Sequence, residues 1–489
     1  MSILSIPTLG LAFILFLAIH KLIIHPAFLS PLSKIPNAHW SVPFSPLWIL
    51  WTRFKSRENR ETHTAHQKHG SVVRLAPNEL SVSDLDGLRT IYGGGFEKGK
   101  WYPIFDNYGS PALAAQAQAI IYERLLPILT VASTPTEFPN GIGILEIWNS
   151  TAMDFIAAYQ FGLKNGSNFL TDETFRRHWL HMFHSRKIFL NIYLVPRWVD
   201  YHNKELEAWT QERCNNTSTY LRDGSAATDE NPANEPVVFK AILAGMEKER
   251  KSKGDASILG EDFLKYPELS IASEMLDHLA AGHETSGIML TYLSWHLSQD
   301  ISLQDRLRAE LLTLSPNMSL SSATPVIPNA KSLDSLPLLH AIIMETLRTD
   351  AAIPGREPRV TPKSGCTLGD SPIPGGVRVG AQAYSVHRND QVYPDPTKWD
   401  YTRWLDDENG YTEEQRKDRD RWFWAFSSGG RMCVGSNFAM HEIKLVTAAV
   451  YSNFRTSIVD DEGIEQEDGY TCGPKSNRLF LSFEKVERG

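Results

Sequence analysis

One cysteine, Cys433, lies in the run Phe426-Ser427-Ser428-Gly429-Gly430-Arg431-Met432-Cys433-Val434-Gly435, two residues after an arginine and just ahead of a helix-like stretch from Ser436 to Val450. A thiolate, the metal-binding form of cysteine, is favoured at helix N-termini and beside cations. The glycines let the backbone pass close to a flat ligand and aim amide N–H groups at the sulfur. Three more groups of residues have types and spacings suited to chemistry. Ala280-Ala281-Gly282-His283-Glu284-Thr285-Ser286 places a glycine and an acid–alcohol pair inside a long apolar run, where a glycine costs helix stability and an unpaired carboxylate is expensive to bury. Glu345-Thr346-Leu347-Arg348 puts opposite charges three residues apart, on one face of a helix beginning near Leu336. Pro354-Gly355-Arg356-Glu357-Pro358-Arg359-Val360 offers two arginines to an anion.

Each signal has a plain structural alternative. A lone cysteine in a turn is usually a buried structural residue, a Glu-Thr pair in a helix is usually surface decoration, and a Glu-x-x-Arg pair is usually a solvated salt bridge of little value. The set reads differently as a whole. The spacing Phe-x-x-Gly-x-Arg-x-Cys-x-Gly resembles the haem-binding loop of the cytochrome P-450 family, and Ala281, Gly282, Glu284 and Thr285 match its Ala-Gly-x-acid-Thr motif upstream. The resemblance implies that Cys433 is the axial haem-iron ligand, with Phe426, Gly429, Arg431 and Gly435 forming its loop. It also implies a local groove at Gly282, with Thr285 donating to the distal oxygen and Glu284 relaying protons. Glu345 and Arg348 would lock to Arg403 beneath the loop. Trp404 fits that pattern too, whereas Tyr401 and Thr402 depart from its usual Pro and Glu. Arg359 is the implied propionate contact beside Arg431, ahead of Arg356.

The activity implied is that of a membrane-anchored, filamentous-fungal monooxygenase. It would insert one oxygen atom from O2 into a small apolar substrate of secondary metabolism, by hydroxylation or epoxidation. The cofactor would be haem b, with electrons from NADPH through cytochrome P-450 reductase and cytochrome b5 as an optional second donor. Arg416, Lys417, Arg419 and Arg421 suit an acidic reductase, or form a solvated loop with the interleaved Glu413, Glu414, Asp418 and Asp420. One element of the family is missing. A basic helix that clamps a propionate should follow the first sheet, yet the chain runs from Lys100-Trp101-Tyr102-Pro103 through Pro111 into an Ala-rich helix whose only arginine is Arg124. Either an internal deletion near residues 110–112 removed that helix, or Arg124 and Lys100 take its role. The deletion motivates a rival reading, a catalytically impaired or non-oxygenase haem-thiolate protein.

The elements needed to position these residues are mostly helices. Helical periodicity predicts Ala112–Val131, Gly143–Phe161, Glu173–Phe183, Asn203–Leu221 and Ile271–Leu297. Val72–Ala76 and Glu79–Val82 read as a strand pair turning at Pro77-Asn78, with further strands at Val377–Ala383 and Leu479–Phe483. Asp223–Pro236 and Ser315–Ser332 read as loops. The expected fold class is mainly α with small β-sheets (α+β), the cytochrome P-450 fold. A single large catalytic domain, residues 49–489, would follow an anchor at 1–25 and a proline-rich linker at 26–48. The anchor rests on the uncharged run Ile3 to Ile19, with no cleavage site after it and Lys21 and Lys34 on its far side. That arrangement leaves the catalytic domain in the cytosol, on the endoplasmic reticulum membrane. Pro26, Pro31, Pro36, Pro43 and Pro46 should end the helix and stiffen the linker. The formal charge of −8 and the lack of a basic block exclude a nucleic-acid partner. Cys214, Cys366, Cys433 and Cys472 are too dispersed for a disulfide framework or a zinc site.

Overall fold

The computed structural model describes residues 6–93, 110–134, 136–185, 196–253, 265–322, 326–408 and 410–486. Two helices make its centre. Ile144–Phe161 is buried at 17 of its residues, the mark of a helix surrounded by protein on all sides. It ends at Gly162, whose φ of 79° and close approach to the Asn234 carbonyl leave no room for a side chain. Against it lies Pro267–Ser298, the longest helix, which carries the acid–alcohol pair. Glu173–Ser185, Arg197–Arg222, Ile301–Leu311, Pro337–Thr349 and Ser436–Asn453 complete the helical body. The expected Ala112–Val131 helix runs from Pro111 to Ala132 and widens to a π-helical turn at Ala119–Leu125. Pro127, which has no N–H to give back to the preceding turn, follows at once.

Three small sheets flank the helices. The largest orders Val72–Ala76, Glu79–Val82, Arg378–Gln382 and Arg356–Val360, with the expected hairpin at one end and a parallel pairing of Glu79–Val82 with Arg378–Gln382. Phe480–Lys485 lies between Ile142–Gly143 and Phe454–Asp460, and Cys366–Leu368 pairs with Ser371–Ile373. This is the α+β arrangement the sequence predicts.

The start of the chain departs from expectation. The helix Ile6–Ile19 continues as a π-helix, His20–Leu29, with Pro26 inside it rather than ending it. No helix of the described residues is long and apolar enough to cross a membrane. The proline-bearing stretch beyond is packed: Leu32 and Ile35 are buried with Leu80, Val82 and Val379 of the large sheet. Arg74 donates to the carbonyls of Pro26 and Pro77. Asp223–Pro236 holds a helical turn, Ser225–Thr228, and Ser315–Ser332 runs into the short helix Ala330–Asp334.

Candidate active site around Cys433

Cys433 is exposed on the loop that feeds the Ser436–Asn453 helix, and its N–H donates to the Phe426 carbonyl at 2.8 Å. None of the four cysteines is in a disulfide. Burial pushes the Cys214 and Cys472 thiols up to about 12, so those two are inert. Gly435 sits at the N-cap position of the helix, and half-buried Phe426 packs on the edge of the core. The Gly429 position requires glycine. Its φ is 67°, and a Cβ there would stand 2.0 Å from the carbonyl oxygen of Tyr92. Tyr92, at the end of the turn that follows the first strand pair, therefore abuts the cysteine loop directly.

Behind the loop, Glu345 and Arg348 are fully buried and joined twice, Nε to Oε2 at 2.9 Å and an Nη to Oε1 at 2.8 Å. Arg348 spends its other N–H groups on the carbonyls of His387, Pro396 and Lys398. Glu345 also accepts from Arg403 Nε at 3.2 Å, Trp404 Nε1 at 2.9 Å and the Asp400 N–H at 2.8 Å. A buried ion pair holds only when its remaining donors and acceptors are satisfied, and here they are. The two residues that depart from the family pattern are absorbed locally. Thr402 bonds Asp400, and the Tyr401 hydroxyl accepts from Arg306.

On the Pro267–Ser298 helix, Ser273, Asp277 and Ala281 are exposed and Thr285 is half-buried, each one turn beyond the last. Thr285 donates Oγ1–H to the Ala281 carbonyl at 2.8 Å. Glu284 turns away from that stripe into the protein, 3.9 Å from His184 Nε2. Gly282 lets the two central helices approach closely: a Cβ there would meet Ile156 of the neighbouring helix at 3.0 Å. Four residues on, Ser286 donates to Glu442 Oε2 at 3.1 Å. Burial pushes the Glu442 carboxyl up to about 8.

The cations separate clearly. Strand alternation puts Glu357 and Arg359 on one face of Arg356–Val360 and Arg356 on the other. Arg356 is engaged with Glu58 and Glu79 across the sheet, so it is withdrawn from any anion near Cys433. Arg359 lies 4.9 Å over the Tyr92 ring, and its buried Nε has no partner. It shares Glu357 Oε2 with Ser427 of the cysteine loop. Arg124 does not take the clamping role. It bonds the fully buried Asp154 at 3.0 Å and the Ser167 carbonyl. Lys100 and its neighbours lie outside the described residues. In the Glu413–Trp422 helix, Arg416, Lys417, Arg419 and Arg421 each meet an acid, and Arg419 is buried against the Arg403 carbonyl. That run is not a uniform cationic surface.

Sequence reasoning overlooked His387, Glu357, Tyr92 and Glu442. Only Glu442, in a helix shared with the cysteine loop, carried any signal, as a lone acid in a mostly apolar segment. The donors present suit haem: an exposed thiol, a cation with an unpartnered buried N–H, and an open helical face bearing a half-buried hydroxyl.

The comparisons with known proteins point the same way. A sequence model of the family described as cytochrome P-450 matches residues 127–479. The protein named cytochrome P-450 monooxygenase orf2, from Aspergillus niger, is 25% identical over 94% of each chain. Cytochrome P-450 monooxygenase azaI, also from Aspergillus niger, is 24% identical over 84% of this chain and 93% of its own. Cytochrome P-450 monooxygenase stcB, from Emericella nidulans, is 26% identical over 93% of this chain and 89% of its own. With the match spanning most of the sequence and the loop, paired acid and helix where the resemblance requires them, the chain belongs to the cytochrome P-450 family, whose cofactor is a haem iron.

Proposed function

We propose that this chain is a haem-thiolate monooxygenase acting on a small apolar substrate of fungal secondary metabolism, with haem b held by Cys433. The observation that carries the reading is an exposed cysteine on a loop whose supporting glutamate and arginine are completely paired. Arg359 would meet a propionate through its unpartnered Nε, alongside Arg431. Bound there, the haem iron supplies activation of O2 and transfer of one oxygen atom to a C–H bond or an alkene. The chain's own residues do the rest. Thr285 holds a proton on Oγ1 that it can turn from the Ala281 carbonyl toward the open face of its helix. Glu284, beside the half-exposed His184, would carry protons between solvent and the interior on the other side of the same helix. Electrons would come from NADPH through cytochrome P-450 reductase, with cytochrome b5 as an optional donor.

Membrane association fits the exposed apolar surface. Leu47, Leu50, Trp51 and Phe54 recur on one face of the Leu47–Phe54 helix, all outward, with Trp40 and Phe44 nearby. Phe13, Ile14, Phe16, Leu22 and Phe28 extend that surface along the preceding helical run, the segment that would anchor the chain to the endoplasmic reticulum. The catalytic domain, residues 49–489, would stay cytosolic.

The test is the reduced carbon-monoxide difference spectrum of the purified chain, followed by turnover with NADPH and reductase. The expected result is a thiolate-type band that Cys433→Ser abolishes. Thr285→Val should keep the band and cut product formed per NADPH. A second reading, a haem-thiolate protein with impaired haem retention, is favoured by Arg124 facing Asp154 instead of the loop. A shifted band with rapid haem loss would select it, and no band at all would sink both.

A further inference from the structure

His387 follows a four-residue helical turn, Ala383–Val386, and is 1% exposed. Nδ1 lies 3.0 Å from the Arg348 carbonyl, which can only accept, so Nδ1 carries the proton. Nε2 accepts the Trp424 N–H at 2.8 Å, which can only donate, so Nε2 is bare. The two partners therefore fix one neutral tautomer and one ring orientation. Burial, with Arg348 and Arg388 next in weight, lowers the imidazole to about 3, in keeping with that geometry. Phe423 stacks on the ring at 5.6 Å and 17°. The residue's own carbonyl accepts from Arg348 Nη1 at 2.9 Å.

From Trp424 the contacts run straight into the cysteine loop. Its carbonyl accepts the Ser427 N–H at 3.1 Å, and its indole donates to Ser428 Oγ at 3.0 Å. Ser427 has a φ of 61°, a conformation non-glycine residues hold only when their neighbours enforce it. Between them is Phe426, whose carbonyl receives the Cys433 N–H.

We infer that His387 is a positioning residue that carries the Glu345–Arg348 anchor to the Cys433 loop and so fixes where the sulfur is presented. The inference rests on the haem-thiolate reading. His387→Phe keeps the stacking on Phe423 and removes both ring hydrogen bonds. His387→Gln keeps a donor and an acceptor, but at one end of a flexible chain, so it restores only one of the two ring bonds. Tyr393→Phe serves as the control, because it removes a comparable buried hydrogen bond, Tyr393 Oη to the Arg419 carbonyl, at 2.9 Å.

In the holoprotein, His387→Phe should cut the thiolate-type fraction of the reduced carbon-monoxide complex by at least half and speed haem transfer to apomyoglobin about tenfold. His387→Gln should fall between it and the parent. Tyr393→Phe should lower the melting temperature and leave the spectrum alone. Should His387→Phe fail to fold, the spectrum of His387→Gln decides. An unchanged spectrum and haem-transfer rate in a folded His387 variant overturn the inference, as does an equal spectral change in Tyr393→Phe. A parent protein with no thiolate band overturns the underlying reading and the inference with it.

Discussion

Replacing Arg348 by lysine keeps the charge and removes the fork. The guanidinium places all five N–H donors: two on Glu345, and one each on the carbonyls of His387, Pro396 and Lys398. Lysine has three donors on a single nitrogen and cannot bind the carboxylate in bidentate fashion. At least two charge-assisted bonds are therefore lost, in a site where both side chains are fully buried. At about 1.5–3 kcal/mol each, the loss is roughly 3–6 kcal/mol. A typical domain has only about 5–15 kcal/mol of stability in all, so Arg348→Lys should be barely folded around its loop. Arg348→Ala strands Glu345 with only its weaker partners and should abolish haem incorporation. Urea unfolding followed by far-UV circular dichroism gives the free energy, and the haem-to-protein ratio of the purified chain gives the functional readout. An Arg348→Lys protein with full haem content and a loss under about 0.5 kcal/mol, the scale of an ordinary surface substitution, would refute the argument.

Three further outcomes follow from the same geometry. The Glu442 carboxyl is raised from 4.5 to about 8 in the folded chain, so the native state keeps a proton that the unfolded state releases across that interval. Stability is then full below about pH 4.5 and falls by ~1.4 kcal/mol per unit as pH rises toward 8. Glu442→Gln should flatten this slope in melts run from pH 5 to 8, and an unaltered slope would place the proton elsewhere. Gly429→Ala must adopt a left-handed φ, at about 1–2 kcal/mol, and displace the Tyr92 carbonyl as well. Its haem content should fall below half with far-UV circular dichroism unchanged, and full haem content would contradict the close approach. The Leu50→Glu, Trp51→Glu double variant of the full chain should partition at least tenfold more weakly onto phosphatidylcholine vesicles in flotation. Equal partitioning would show that the outward face of Leu47–Phe54 does not meet lipid.

Contrasts between particular residues show why some of this site is legible in a sequence and some is not. The Pro267–Ser298 and Pro337–Thr349 helices are visible because their apolar residues recur at helical spacing, and the motif residues on them come with their neighbours in line. Arg356–Val360 is hidden by Pro358, which argues against a strand. The structure tolerates it because this strand is at the edge of its sheet. Pro26 misleads the other way, since a π-helical turn accommodates it. The close approach of Ile156 to Gly282 has no sequence signal, because the two residues lie on separate helices. His387 has no local pattern at all. Its meaning comes from a carbonyl 39 residues before it and an N–H 37 residues after it, partners that no spacing rule connects.

The site is held unevenly, and that bears on the stretch before Pro111. On the helix side, the cysteine loop is tied to Glu345, Arg348 and His387 through bonds that close on themselves, and none of these residues lies N-terminal to position 345. On the sheet side, the loop depends on Tyr92. Its carbonyl abuts Gly429, and its ring underlies Arg359. Its hydroxyl donates to the Glu357 carbonyl at 2.6 Å, while the Glu357 side chain accepts from Ser427. A deletion near residues 110–112 would therefore leave the Glu345–Arg348 anchor of the proposed thiolate intact and act, through the chain before it, on Tyr92 and Arg359. On the proposed haem-thiolate reading, losing chain there would weaken the grip on a propionate before it disturbed the sulfur. A protein so altered should still show thiolate ligation while releasing its haem faster.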